Sequence, residues 1–455
     1  MHGRADGPAG GPASDGRGAG GELPGLELPS LAYRGYVLLL LMLVAAVAAV
    51  DRQILFVLVE PIRHEFGLND KQIGALTGIA FALTYVVVSV PVARLSDRAP
   101  RKLVIGAAVS IWSVMTALTG FAQNFVQLFL ARVGVGFGEA GAAAPSQALI
   151  GDMFPPRQRA TAMSLYLMGA PIGMAVGLGL GGWVAQHYGW RWALVVAGVP
   201  GIILGPLMLF TVRNITKGAA DGITRTFIPP SIVETLRMVV RIRTLPLLIA
   251  GATLQSLLAS GLVGWMPAFL QRTHGLSPVT IGASLGAAMG AGSLIGHLLG
   301  GPLSDWLIRR DLRGPLWLGA GIVMVSGTLS LLAFSGPVSI FFPVIALQIL
   351  VSGLFSSPLM SLVVSLPPVW ARATTVAVLY TVLQLVGLGL GPTAVGALSD
   401  ALKPAYGEGS LRMAMLLSLL LAFPAALLML LAARHYRADH AAAAERLAGE
   451  AAPHP

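Results

Sequence analysis

Four charged residues stand inside otherwise apolar stretches of the chain: the neighbours Asp51 and Arg52, and Arg132 and Glu139, seven apart. Seven residues are about two helical turns, so Arg132 and Glu139 share a helix face, while Asp51 and Arg52 point about 100° apart. The remaining acids and bases fall in tails, loops or helix ends. Charge inside a bilayer is costly; where it is kept it pairs, faces a bundle interior and serves a substrate or proton path. The plain alternative is a static ion network that only fastens helices, and the crowding of all four charges onto two segments favours a working site. Fully ionised, the set sums to zero. Its carboxylates can take up a proton, with burial and a neighbouring guanidinium pulling that equilibrium in opposite directions. Guanidinium keeps its charge and offers a fork that suits phosphate or carboxylate. The expected roles are proton coupling at Asp51 and Glu139, and substrate binding at Arg52, Arg132 and Glu139.

The elements that must position these residues are membrane helices. Of 455 residues only 11% are Asp, Glu, Lys or Arg and 55% are apolar, with a mean hydropathy of +0.77. An average soluble domain carries about 25% charged residues. This excludes a water-soluble enzyme and a nucleic-acid binder. There is no cysteine, which removes disulfides and thiolate metal sites. Neither a His/Glu metal set nor a nucleophile–base pair stands at useful spacing, so no catalytic residue, metal or cofactor is expected. A bilayer-crossing helix needs about 20 apolar residues. Segments of that kind fall near 36–60, 73–96, 102–122, 125–151, 160–186, 191–212, 245–271, 279–303, 315–335, 338–366, 373–399 and 410–434, which makes twelve.

An even count places both termini on one side. With the termini inside, 22 basic residues lie on inner segments and six on outer ones. That asymmetry fits the positive-inside rule, so the net charge of +10 reports orientation and some attraction to anionic lipid. A plasma membrane (bacterial inner membrane) protein with cytoplasmic termini is expected. Helix one then runs outward and helix four inward. At about 1.5 Å per residue, Asp51, Arg52 and Arg132 lie about 10–14 Å below the outer face and Glu139 about 21 Å below it. Contacts between Asp51 and Arg132, and between Arg52 and Glu139, follow.

Residues 1–30 hold nine Gly and four Pro without an apolar run and read as a disordered tail. Residues 31–213 and 245–435 form two six-helix halves. The basic linker 214–244 joins them, and residues 436–455 read as a C-terminal tail. Within the linker, Ile232, Leu236, Val239 and Val240 share a face away from Arg237 and Arg241, the pattern of an interfacial helix. The halves repeat. Leu95-Ser96-Asp97, followed by Arg98, Arg101 and Lys102, returns 208 residues later as Leu303-Ser304-Asp305 with Arg309 and Arg310. Duplication of this kind marks secondary transporters, whose substrate site lies near the midplane between the repeats.

Residues 93–102 resemble the signature loop of the major facilitator superfamily, with Ala93 and Pro100 where glycine is usual. Asp51-Arg52, together with Arg132-x-x-x-Gly136-x-Gly138-Glu139-Ala140 and Pro145, resembles its spinster branch. The resemblance implies the major facilitator fold, an all-α membrane protein of twelve transmembrane helices in two halves. It also implies alternating access, proton coupling, a lipid-like substrate and a cytoplasmic gate at Asp97, Arg98, Arg101 and Asp305. Positions 259, 260, 340 and 347 of the second half, in register with the four charges, are Ala, Ser, Ile and Leu. A cavity ionic on one wall and apolar on the other suits an amphiphile such as a lysophospholipid or sphingosine phosphate. Gln255, Trp265, Met266, Gln348, Phe355 and Met360 are expected on the apolar wall. The alternative is a proton-coupled antiporter exporting drugs or organic anions. Expected partners are that substrate, protons and membrane lipids, with the chain monomeric. Gly169, Gly173, Gly177 and Gly181, and likewise Gly282, Gly286 and Gly290, predict close helix packing. Gly389 and Gly391-Pro392 predict a bend in helix eleven, and His297 reads as a packed neutral histidine.

Overall fold

The computed structural model describes residues 29–215, 232–368 and 371–451, and these are helical almost throughout. Twelve spans follow one another, here numbered one to twelve in chain order. They are Leu31–Val57, 70–98, Arg101–Thr119, 125–153, 156–188, Trp190–Thr211, Thr244–His274, Pro278–Ile308, Gly314–Ser335, 338–365, 372–406 and 410–451. Ten stretches are individually long and apolar enough to cross a bilayer. The difference has two causes. Span four is broken into Phe125–Glu139 and Ala143–Met153, each too short to cross alone, and spans eleven and twelve run into one helical stretch.

The two ends of the bundle differ. The end that charge asymmetry marks as outer, and is called outer below, is closed. There span two meets span eleven, with Gly74 packed on the Pro392 backbone and Gly78 on Gly389. Span five meets span eight, with Gly182 on Pro278 and Gly282 on Leu178. A side chain at any of these glycines would collide with backbone, so the glycines let the halves touch. The hydrophobic core follows the same division. One cluster runs across both halves, from Ile54–Ile62 and Ile73 through Trp265–Leu270 to Phe334 and Phe341. A second cluster, Val37–Val47 with Ile105–Trp112, Leu149–Phe154 and Leu204–Val212, belongs to the inner part of the first half and does not join the first. The halves are thus fused at the outer end, while the second cluster at the other end stays within the first half.

Span eleven carries an eight-residue π-helical segment, Leu383–Leu390, which ends where Gly391-Pro392 restarts the α-helix. A π register leaves carbonyls that need other donors. The Ser260 hydroxyl donates to the Gly387 carbonyl at 2.6 Å, and the Ser256 hydroxyl to that of Leu383 at 3.5 Å. Where the sequence predicts a bend, the structure has this π-helical register.

One of the expected boundaries changes. The stretch 436–451 continues the helix Ala422–Ala451 instead of forming a tail. Alanine is the best helix former, and the extension is anchored: Asp439 accepts from the Thr244 amide and hydroxyl at 2.8 and 2.7 Å, and Arg437 reaches Asp311 at 2.6 Å. The linker contains a helix, Ile232–Arg241, where the sequence pattern predicts one. Residues 1–28 of the expected N-terminal tail and 216–231 of the linker lie outside the described residues.

Candidate functional site

Span one presents Asp51 and Arg52 to different partners because consecutive residues diverge around a helix. Asp51 turns to spans three and four. Its Oδ1 accepts from the Thr116 hydroxyl at 2.5 Å, and its Oδ2 lies 3.5 Å from Arg132 Nη1. Arg52 turns to Glu139, donating Nε and Nη2 to a single oxygen, Oε2, at 2.7 and 2.6 Å. Asp51, Arg132 and Glu139 are 1–2% exposed, whereas the Arg52 side chain is 36% exposed. Among the described residues, Glu139 Oε1 and Arg132 Nε are buried without a hydrogen-bond partner. The cluster therefore has unused bonding capacity on both its acid and its base.

Backbone contacts fix this geometry. Gly177 of span five lies against the Val50 backbone, where a Cβ would stand 2.8 Å from Val50 Cα, and this seats span one a residue before Asp51. Gly136 lies against Phe81 of span two and Gly138 against Trp112 of span three, so span four can bring Arg132 and Glu139 inward. The helix Phe125–Glu139 ends at Glu139 itself. Phe81 stands between the pairs, its ring centroid 5.3 Å from the Arg52 guanidinium carbon and 5.9 Å from that of Arg132. Both distances are in cation–π range. Tyr85 stacks behind Phe81 at 5.7 Å.

A second network closes the outer end. Arg272, at the end of span seven, grips Asp70 with Nη1 and Nη2 at 2.8 and 2.7 Å and donates Nε to Glu60 at 2.7 Å. Ser399 donates to Asp70 at 2.7 Å. Asp400 accepts from the amides of Asp70 and Lys71 at 3.2 and 2.8 Å, capping the start of span two. A carboxylate at a helix N-terminus is a favourable arrangement. Glu60, Asp70 and Lys71 belong to the first half; Arg272, Ser399 and Asp400 belong to the second. This is an ionic lock between halves, and its residues line a vestibule of about 720 Å³.

Both contacts expected within the four-charge set are present. Among the described residues, no contact joins the expected gate residues Arg98, Arg101 and Asp305 across the halves. Arg101 pairs with Asp152 and donates to the Ala148 carbonyl, a link between spans three and four of one half. Arg98 and Asp305 are exposed. The Asp97 side chain lies outside the described residues. Trp265, Met266 and Phe355, expected on the cavity wall, are 1–4% exposed and pack in the core, with the Trp265 indole donating to the Pro392 carbonyl. Gln255, Gln348 and Met360 are half-buried. His297 is exposed, and its Nδ1 lies 2.7 Å from the Ser293 carbonyl of its own helix. Sequence reasoning missed Thr116, Phe81 and the whole Arg272 lock, whose members are 202 to 330 residues apart.

The sequence pattern of the Major Facilitator Superfamily matches residues 41–392. The chain belongs to this superfamily. Among curated relatives, an MFS-type efflux pump of Mycolicibacterium smegmatis is 32% identical over 384 residues, covering 83% of this chain and 87% of that one. The sphingosine-1-phosphate transporter SPNS2 of Mus musculus is 30% identical over 221 residues, covering 47% of this chain and 39% of that one. Among solved structures, a bacterial homologue of the human lysosomal transporter Spinster, inward-facing and unoccupied, superposes with a TM-score of 0.80. It is 28% identical and covers 90% of this chain and 99% of its own. This facilitator is thus a spinster-like multi-pass membrane transporter, and its outer closure agrees with the inward-facing state of that neighbour.

Proposed function

We propose that this facilitator is a proton-coupled secondary transporter that works by alternating access and moves an anionic or zwitterionic amphiphile of the lysophospholipid or sphingosine-phosphate kind. The observation that carries the reading is the state of Arg52. It is the exposed member of the four-charge cluster, and both its bonds end on one oxygen of Glu139. A proton taken up by Glu139 weakens that ionic hold and leaves a guanidinium fork free for a phosphate or carboxylate headgroup. Asp51 is the second proton site, held by Thr116 and Arg132, and Arg132 the second cation for the headgroup. The gradient is the driving force and no cofactor takes part. The working unit is the monomer, in the bacterial inner membrane with both termini cytoplasmic. When the outer lock opens, Asp97, Arg98, Arg101 and Asp305 close the cytoplasmic side.

A relative named as an SPNS2 sphingosine-1-phosphate transporter supports the amphiphile. The second reading, proton-coupled export of drugs or organic anions, is favoured by the efflux-pump relative, which matches more of the chain. Proteoliposomes loaded with lysolipids, sphingosine phosphates, organic acids or cationic drugs, with and without a pH gradient, separate the two. Transport of lysolipids driven by the gradient supports the first reading, and transport confined to small soluble acids or drugs overturns it.

A further inference from the structure

The linker helix Ile232–Arg241 and an apolar groove beside it belong neither to the ion cluster nor to the outer lock. Around the helix, Val239 is 4% exposed and packed, whereas Leu236 and Val240 on the adjoining flank are 44% and 69% exposed. Arg237 and Arg241 are exposed on the side opposite Val239. An uncovered apolar flank between a packed flank and a charged one places a helix at the bilayer surface.

The groove has a volume of about 460 Å³, within the size range of small-molecule sites, and is lined by Val239, Ile249, Leu254, Val378 and Val382 with Thr253. Thr253 donates its hydroxyl to the Ile249 carbonyl at 2.7 Å, so it offers the groove only its methyl group. Span seven starts at Thr244 and the groove reaches Leu254, about 15 Å along the helix, the depth of one leaflet of a ~30 Å hydrocarbon core. Its floor ends at Val382, where the π-helical segment begins. Arg243 stands at the mouth. It is exposed, and at helical spacing it shares a face with Pro246, Ala250 and Thr253. Of the acids nearby, Asp439 is engaged with Thr244, and Glu234 stands in the first turn of the linker helix, toward its far end from Arg243.

We propose that the groove holds an acyl chain of an anionic diacyl phospholipid from the adjoining leaflet, with its phosphate on Arg243 and within the field of Arg237 and Arg241. Charge complementarity and groove depth select this occupant. A zwitterionic lipid gains less from three arginines, and a soluble anion has no use for an apolar trough. The bound lipid bridges the linker helix, span seven and span eleven below the π segment.

The test is native mass spectrometry of the full chain with phosphatidylglycerol or phosphatidylcholine added, and no transport is measured, so its failure is separate from failure of the substrate reading. Wild type is expected to retain one phosphatidylglycerol in preference to phosphatidylcholine by at least about fivefold, the factor one surface arginine supplies. Ala250→Trp fills the groove and Arg243→Gln removes the headgroup contact. Each should abolish the preference, while Leu332→Trp on the exposed face of span nine leaves it intact. If Ala250→Trp fails to fold, Arg243→Gln carries the test alone. Equal retention of both lipids, retention unchanged in Arg243→Gln, or no retained lipid in wild type would each overturn the proposal.

Discussion

Replacing Asp70 with asparagine removes the charge that Arg272 grips with two N–H groups, at 2.8 and 2.7 Å, and preserves the size of the side chain. The Arg272 and Asp70 side chains are 15% and 8% exposed, so solvent does little to screen them. Hydrogen bonds to charged groups are worth about 1.5–3 kcal/mol each, and two at the low end give about 3 kcal/mol. Because the bonds join residues of different halves, they exist only while the outer end is closed. Their loss therefore counts against one conformation. About 3 kcal/mol shifts the ratio of conformations about 150-fold, taking an equilibrium of about 100 to 1 past parity. The chain has no cysteine, so labels can be placed at will. Nitroxides at Gln123→Cys and Ser335→Cys, exposed outer-end positions of the two halves, report the distance by pulsed electron paramagnetic resonance. Wild type should show one short distance, Asp70→Asn a large second population at longer distance, and Arg272→Lys an intermediate result. A shift below about fivefold, under about 1 kcal/mol, would refute the lock.

Three further outcomes are expected. Glu139→Gln keeps the shape of the site but loses the titrating group, so pH-driven transport should vanish while the protein still folds and binds substrate; unchanged coupling removes Glu139 from the proton path. Gly177→Leu forces span one away from span five at Val50, next to Asp51. It should cost about 1–3 kcal/mol of overpacking, read as a lowered melting temperature together with impaired coupling. Glu65 accepts from Arg191 and Trp190 at 2.6 and 2.7 Å, and its carboxyl is held below the ordinary range, first by the Arg191 hydrogen bond. A lowered carboxylate contributes stability above its unfolded pKa and loses it as pH falls through the folded value. The melting-temperature gap between wild type and Glu65→Gln should therefore be positive at neutral pH and close in acid, and a gap independent of pH contradicts the assignment.

The four-charge cluster was legible because rarity makes charge conspicuous in an apolar chain, and helical rise alone brought Asp51 level with Arg132. Pairing of Arg52 with Glu139 followed from the two-turn spacing on span four. Thr116 was not legible, since a threonine within a membrane helix ordinarily satisfies itself, as its 3.0 Å contact with the Trp112 carbonyl shows. The lock was hidden for another reason. Arg272, Asp70 and Glu60 lie at helix ends, where charge is expected and carries no signal, and only the approach of the halves sets them against one another. The cavity-wall expectation for Trp265 and Phe355 failed because neither sequence position nor apolarity says which way a helix face turns. The polar partner of Trp265 is the Pro392 carbonyl, reached because spans seven and eleven pack tightly there.

The cluster and the lock are mechanically one system, because they share two elements. Span one carries Asp51 and Arg52 and, beyond the break at Leu58, leads into Glu60. Eight residues separate Arg52 from Glu60, about 12 Å of helix. Span two begins at Asp70 in the lock and places Phe81 between the two guanidinium groups of the cluster. A change in the Arg52–Glu139 bond therefore acts on a helix joined through the break at Leu58 to the short helix whose Glu60 Arg272 holds, and beside an aromatic ring that stands just past the Gly78 break from the helix that Asp400 caps. The glycine contacts of span two with span eleven at Gly74 and Gly78 are backbone contacts with no side chain to deform, so they tie span two to span eleven at the seam. On this geometry, protonation within one half can reach the seam between halves through spans one and two alone. A variant that severs the link, Phe81→Ala, should keep both networks and lose their coordination: the lock opens with the frequency set by its own bonds, independent of pH. Electron paramagnetic resonance distances at Gln123 and Ser335, measured across a pH series, decide the point, and a pH response identical to wild type would show that coupling runs by another route.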